Sequence, residues 1–219
     1  MTRAYNFCPG FGARGEDTST HFYDECDFCG RFFARCCASK LPHRVCHDHP
    51  LVFVDGSCSR NGQFDARAGI GCAMGNSNED QVSILVTYAM DACLPRTSQR
   101  AELLAALHGL RMVVGSSIHD HPRAPLRGAR AEHSEYVIVA DSEYVVKGIT
   151  EWVPVWKANS WRTKQGNAPK NLDLFKQLDA AISEYETKGF KIKFLHVRRK
   201  LNCLADGLAA RAAAMPIAI

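Results

Sequence analysis

Leu51-Val52-Phe53-Val54-Asp55-Gly56-Ser57-Cys58-Ser59-Arg60-Asn61-Gly62 opens the regular part of the chain. Its first four residues form an apolar run of the length and β-branched content expected of a buried strand, closed by an aspartate and a small residue. Val137-Ile138-Val139-Ala140, followed by Asp141-Ser142, repeats the arrangement. The two runs read as neighbouring parallel strands. In an open α/β sheet the ligand crevice lies beyond the carboxyl ends of the strands, where the strand order reverses, so Asp55 and Asp141 are expected to emerge there.

Outward from this stretch, Asn61-Gly62 marks a turn, and Ala66 to Met74 alternates as an antiparallel partner should. Val82 to Ala89 supplies a third strand. Thr97 opens a helix whose buried stripe is Leu103, Leu107, Leu110 and Val114, with Glu102 near its start and off the stripe. Residues 116–134 carry prolines, glycine and scattered His and Arg without periodicity, and read as an exposed, mobile insertion. Ser142 starts a helix to about Thr150. The following EWVPVWKANSWRTKQGNAPKN holds all three tryptophans among lysines and arginine. It reads as an irregular nucleic-acid grip, with Trp152 and Trp156 also stapling a helix pair. Asn171 to Lys188 is an amphipathic helix, Phe190 to Val197 the last strand, and Asn202 the cap of a final helix carrying Asp206. The order points to a mixed α/β sheet covered on both faces.

Asp55, Glu102, Asp141 and Asp206 each occupy a setting suited to a metal ligand. Two carboxylates ~4 Å apart repel by roughly 4 kcal/mol at an effective dielectric near 20, a cost that hard divalent cations remove. All-oxygen ligation suits Mg²⁺, and two such ions can hold the attacking and leaving oxygens of a phosphodiester in line. The four acids therefore predict a nuclease.

The 219 residues, 46% hydrophobic and 23% charged, allow one α/β domain with a short extra module. A net charge of +4 proves no nucleic-acid partner by itself. The cations Lys188, Lys191, Lys193, Arg198, Arg199 and Lys200, uninterrupted by acids, are either a solvated strand edge or a nucleic-acid contact. Ten cysteines without an export signal read as reduced thiols, some binding metal. The expectation is a soluble, monomeric, intracellular protein of nucleus or cytoplasm with no membrane span, a mitochondrial address being left open. Residues 1–49 form a Cys/His-rich segment that can hardly build an apolar core alone, and residues 50–215 a catalytic domain. Cys26 and Cys29 make a tight metal-ligand pair, and a second pair for Zn²⁺ could come from Cys36 or Cys37 with His43, Cys46, His47 or His49, the candidate set being Cys26, Cys29, Cys46 and His43; the alternative is a flexible thiol-rich tail.

The motifs DGSCSRNG, TSQRAEL, VADS, GITEWVPVWKANSWRT and LNCLADGLA occur together and in order, and over residues 51–213 the chain resembles type 1 ribonuclease H. The resemblance implies an RNase H-like, five-stranded mixed sheet, three strands antiparallel and two parallel to strand one, flanked by helices. It implies an endoribonuclease that cuts the RNA strand of RNA–DNA hybrids and leaves 5′-phosphate and 3′-hydroxyl ends. Asp55, Glu102, Asp141 and Asp206 match the carboxylates that hold two Mg²⁺ ions, with Mn²⁺ able to substitute. Glu102 and the backbone near Cys58 and Ser59 match groups that meet RNA 2′-hydroxyls. Asn61 and Gln99 match minor-groove contacts, Thr97 and Asn171 a DNA-phosphate pocket, and Trp152 an aromatic that packs on DNA sugar.

Three departures accompany the resemblance. The loop after His196-Val197 is about four residues shorter than usual and lacks the mobile histidine; His196 belongs to the strand, and Lys200 or Arg199 stands in for the missing group. The arginine of the phosphate pocket is shifted to Arg96. Residues 1–49 do not resemble the hybrid-binding domain attached to many eukaryotic members. The rival reading is a catalytically weak protein that binds RNA or hybrid without turnover.

Overall fold

The structure, a computed structural model, describes residues 2–7, 21–35, 49–119 and 135–216. Its centre is a five-stranded sheet: β3 (Leu51–Ser59), β4 (Arg67–Ala73), β5 (Gln81–Leu85), β6 (Glu135–Ala140) and β7 (Lys191–His196), in the order β5-β4-β3-β6-β7. The first three of these are antiparallel, and β6 and β7 run parallel to β3. A small hairpin, β1 (Tyr23–Glu25) and β2 (Phe32–Ala34), precedes them. Among the described residues no helix is long and apolar enough to cross a membrane.

Strand alternation sorts the core into two layers, because successive side chains point to opposite faces. Val52, Val54, Ile70, Cys72, Ile138, Ile192 and Phe194 pack with Leu103, Leu107 and Leu110 of α1 (Ser98–His119) and Phe175, Leu178 and Ile182 of α4 (Leu172–Thr187). Leu51, Phe53, Ala73, Val137 and Val139 face the other way, against Leu208 of α5 (Cys203–Ala214) and Tyr5, Phe22, Phe32 and Ala34 from the first segment. Helix α5 comes close because β4 offers no side chain at Gly69 or Gly71. A Cβ there would lie 2.4 Å from the Ala213 nitrogen and 2.2 Å from the Ala205 oxygen.

The described parts of residues 1–49 borrow the sheet to bury their aromatics. Phe53 is ringed by Phe22, Tyr23 and Phe32 at centroid distances of 5.1–6.0 Å. Residues 3–5 run along the outer edge of β7, where the Phe194 N–H donates to the Arg3 oxygen at 2.8 Å and the Tyr5 N–H to the Phe194 oxygen at 2.9 Å. Arg3 clamps this strap to α4 through Asp179 at 2.6 Å and Glu186 at 2.9 Å. The basic strand β7 is thus covered along part of its edge by the chain's own N-terminal residues, rather than left as an open ladder.

Several boundaries differ from the sequence reading. The third strand ends at Leu85, since its partner β4 begins at Arg67 and the ladder closes at Gly69↔Leu85. Helix α1 runs on to His119; residues 120–134, the bulk of the expected insertion, lie outside the described residues. The helix after Asp141 does not stop at Thr150. α2 (Glu143–Lys147), a π-turn (Gly148–Trp152) and α3 (Val153–Ala158) follow without a break, with Pro154 in the first turn of α3, where a missing N–H is tolerated. Trp152 and Trp156 are therefore helical, whereas Trp161 lies in the turn that follows, with φ 61°, and only residues from Asn159 onward are irregular.

Candidate active site

The register of the sheet places the site. Val54 pairs with Ala140 in the parallel ladder, so Asp55 and Asp141, one residue further on, emerge side by side. Glu102 arrives from the second turn of α1, held against β3 by Gly56: a Cβ there would sit 2.1 Å from the Glu102 nitrogen and 2.2 Å from the Ala101 carbonyl carbon. Asp55, Glu102 and Asp141 each offer one oxygen, all within 4.8 Å of one another. Asp206, in the first turn of α5, stands beside this triad and is ion-paired with Arg199.

Crowding and burial dominate the electrostatics. Burial, then the charges of Asp141 and Asp206, push the Asp55 carboxyl up to about 7, against a weaker opposite pull from Arg199. Burial, then Asp55 and Asp141, push Glu102 up to about 9, while the Gly56 backbone and Arg199 pull it down. One Glu102 oxygen is buried with no hydrogen-bond partner. A buried carboxylate oxygen without a donor, among other carboxylates, is what a divalent cation with oxygen ligands would satisfy. The triad Asp55, Glu102 and Asp141 thus fits such an ion, while Asp206, the fourth acid of the sequence reading, is not one of the three oxygens brought together and is engaged by Arg199.

Comparison with known proteins settles the relationship. The RNase H family model matches residues 47–214. The chain belongs to the RNase H family. It is 33% identical over 147 residues to Ribonuclease H1 of Mus musculus, covering 67% of this chain and 42% of that one. It is 32% identical over 165 residues to Ribonuclease H of Klebsiella pneumoniae subsp. pneumoniae, covering 75% and 89%. The chain thus spans less than half the length of the mouse relative and most of the bacterial one. The fold is similar to that of a foamy viral protease-reverse transcriptase solved in complex with RNA/DNA hybrid, at 18% identity and TM-score 0.53, over 82% of this chain and 22% of that one.

Around the RNase H triad the other expected residues fall into two groups. Cys58 lines the crevice with Asp55, Gly56, Ser57, Ser98, Glu102 and Arg199; Ser59 follows it, exposed, at the end of β3. Asn61 does more than turn the chain, for its Oδ1 accepts the Ser98 N–H at 2.9 Å and docks the turn on α1. Thr97 Oγ1 accepts the Arg100 N–H at 3.3 Å as the helix cap, and Gln99 is exposed beside it. Further along, Asn171 holds a left-handed backbone with φ 54°. Its side chain does not cap α4; it donates to the Tyr144 hydroxyl at 3.0 Å and accepts from Arg100 at 3.4 Å. Trp152 packs edge-on against Tyr144 at 5.7 Å and beside Trp156, which meets Phe175 at 5.3 Å.

Two assignments change. Arg96 is buried, and its Nη1 is engaged by the Asp91 and Cys93 carbonyls and the Asp91 carboxylate, which ties it to the Asp91–Cys93 turn. Arg100, which the sequence did not single out, lies between Asp91 at 2.8 Å and Asp173 at 2.6 Å and reaches Asn171. Asn202 is the second. It was expected as a cap, yet no side-chain cap bond forms; its amide donates to the Val54 oxygen at 2.9 Å and to Asp141 Oδ1 at 2.8 Å. Its position one helical turn before Asp206 was the available signal. His196 lies on β7 as expected, its Nε2–H directed at the Asp141 main-chain oxygen at 3.2 Å.

Cys26 and Cys29 flank the β1–β2 turn, where Gly30 adopts φ 67° and its N–H donates to the Cys26 oxygen at 2.7 Å. Burial pushes the Cys29 thiol up, and Cys26 adjoins it. Cys36, Cys37, His43, Cys46 and His47 lie outside the described residues.

Proposed function

We propose that this chain is a hydrolase that cuts the RNA strand of RNA–DNA hybrids internally, using two Mg²⁺ ions and leaving 5′-phosphate and 3′-hydroxyl ends. The observation that carries the reading is the convergence of Asp55, Glu102 and Asp141 from three separate elements, with a buried Glu102 oxygen left unpaired. Membership of a family whose relatives are named for this activity supports the substrate. Divalent cations held by these carboxylates and Asp206 would neutralise them, polarise the scissile phosphate and lower the pKa of an attacking water. The chain's own contribution is position. Gly56 lets α1 bring Glu102 onto β3, the ladder register aligns Asp55 with Asp141, and Asn202 orients Asp141. Cys58 and Ser59 extend the crevice toward the RNA 2′-hydroxyls, while Thr97, Asn171 and Trp152 form the DNA-strand side.

The test is a hybrid labelled separately on each strand. The RNA should be cut in Mg²⁺ or Mn²⁺, the DNA left whole, and EDTA should stop the reaction. Binding without cutting would instead identify the rival, a hybrid-binding protein without turnover.

We also infer that residues 1–49 hold Zn²⁺ through Cys26, Cys29, Cys46 and His43. The close Cys26–Cys29 turn supports this reading. Mass spectrometry of the full chain should find about one zinc per molecule, lost in Cys26→Ser; zinc-free protein of unchanged stability would oppose it. A monomeric, intracellular protein is the matching proposal for its state and place, checked by sedimentation and cell fractionation.

A further inference from the structure

The acidic crevice contains a cation of its own. Arg199 opens the short 3₁₀ turn Arg199–Leu201 that leads into α5. Its guanidinium is ion-paired with Asp206 and lines the same crevice as Asp55 and Glu102. The Arg199 side chain is 77% exposed against 34% for Asp206, so it reaches the carboxylate from the solvent side and little packing fixes it there.

We propose that Arg199 is the resident counter-ion of Asp206: it gives up that carboxylate when a divalent cation binds, and the freed guanidinium then grips the substrate phosphate. The proposal rests on the hybrid-cleaving reading above. An Asp206 oxygen engaged by a guanidinium is not free to ligate, so the ion pair competes with metal binding. Once released, a guanidinium presents paired N–H groups that match the oxygens of a phosphate, a geometry an ammonium lacks. Arg199 therefore weakens metal binding in the free protein and speeds cleavage in the complex. A residue that merely steadied α5 would, when removed, weaken both.

The experiment is a calorimetric titration of Mn²⁺ into the full chain, with single-turnover cleavage of a hybrid at saturating Mn²⁺, for wild type, Arg199→Ala and Arg199→Lys. Arg199→Ala should bind Mn²⁺ about fivefold more tightly, the scale of a partly exposed ion pair. Its cleavage should fall at least about tenfold, as expected when a donor to transition-state charge is lost. Arg199→Lys keeps the charge and should stay within about twofold of wild-type Mn²⁺ affinity, yet cleave more slowly because the fork is gone. Equal or weaker Mn²⁺ binding by Arg199→Ala, or undiminished cleavage by it, overturns the proposal. If wild type leaves the hybrid intact, the substrate reading fails instead, and the Mn²⁺ affinities still decide whether Arg199 competes for Asp206.

Discussion

Asn202 donates its side-chain amide to Asp141 Oδ1 at 2.8 Å, across 61 residues of sequence. The same nitrogen reaches the Val54 oxygen at 2.9 Å, and the Asn202 carbonyl accepts the Asp206 N–H at 3.0 Å. One buried residue thus joins the ends of β3 and β6, through its side chain, to the first turn of α5, through its main-chain oxygen. Asn202→Leu leaves both acceptors without this donor and should destabilise the fold by about 2 kcal/mol or more. It should also weaken Mg²⁺ binding. Thermal unfolding with and without Mg²⁺ reads both effects, and a variant matching wild type in each would show that Asn202 only starts a helix.

Gly56 is the contact through which α1 meets β3. In Gly56→Ala the new methyl group meets the backbone at Ala101 and Glu102. Displacing α1 should cost on the order of 1–3 kcal/mol. Cleavage should suffer more than stability, because Glu102 moves with the helix. Denaturant midpoints and hybrid cleavage, measured on the same preparation, separate the two.

The raised carboxyls give metal-free protein a pH dependence of definite sign. Asp55 at about 7 and Glu102 at about 9 both lie above their ordinary values of 3.8 and 4.5. The stability they confer is fully present below about pH 4 and is lost as pH rises through 7 and then 9. In EDTA the melting temperature should fall between pH 5 and pH 9. A fixed Mg²⁺ concentration about 100 times the dissociation constant at pH 9 adds roughly 2.7 kcal/mol there, and should add progressively less toward acid pH, where protonated carboxyls bind the ion more weakly. A melting temperature that rises with pH in EDTA would contradict this assignment.

Phe22 tests whether the first segment belongs to the sheet. It is 1% exposed and packs on Phe53. Phe22→Ala should cost about 3–5 kcal/mol. Urea unfolding followed by hydrogen exchange at β3 and β6 would show it: a detached module would leave those amides protected as before.

The sheet was legible from Leu51–Val54 and Val137–Ala140 because buried parallel strands are apolar throughout and end where their aspartates begin. The α1 stripe was legible from its helical period. Less visible were contacts whose partners lie far apart in sequence. Asn202 reads locally as a cap, and only the fold brings Asp141 to it. Arg96 and Arg100 look alike in the string, while Asp91 and Asp173 engage them differently. The first segment lacked an apolar core by itself, and its aromatics find one only on Phe53 and its neighbours. Trp152 and Trp156 sat among turn-forming residues, but Pro154 falls in a first helical turn, where it breaks nothing.

The most direct test of the central claim is single-turnover cleavage of the RNA strand, with hybrid affinity measured in parallel, for wild type and Asp141→Asn. The substitution keeps the side chain's shape and removes one of the converging charges. Cleavage should drop by about a thousandfold, equivalent to roughly 4 kcal/mol of lost transition-state stabilisation, with hybrid binding retained. Cleavage at the wild-type rate by Asp141→Asn would show that the site lies elsewhere.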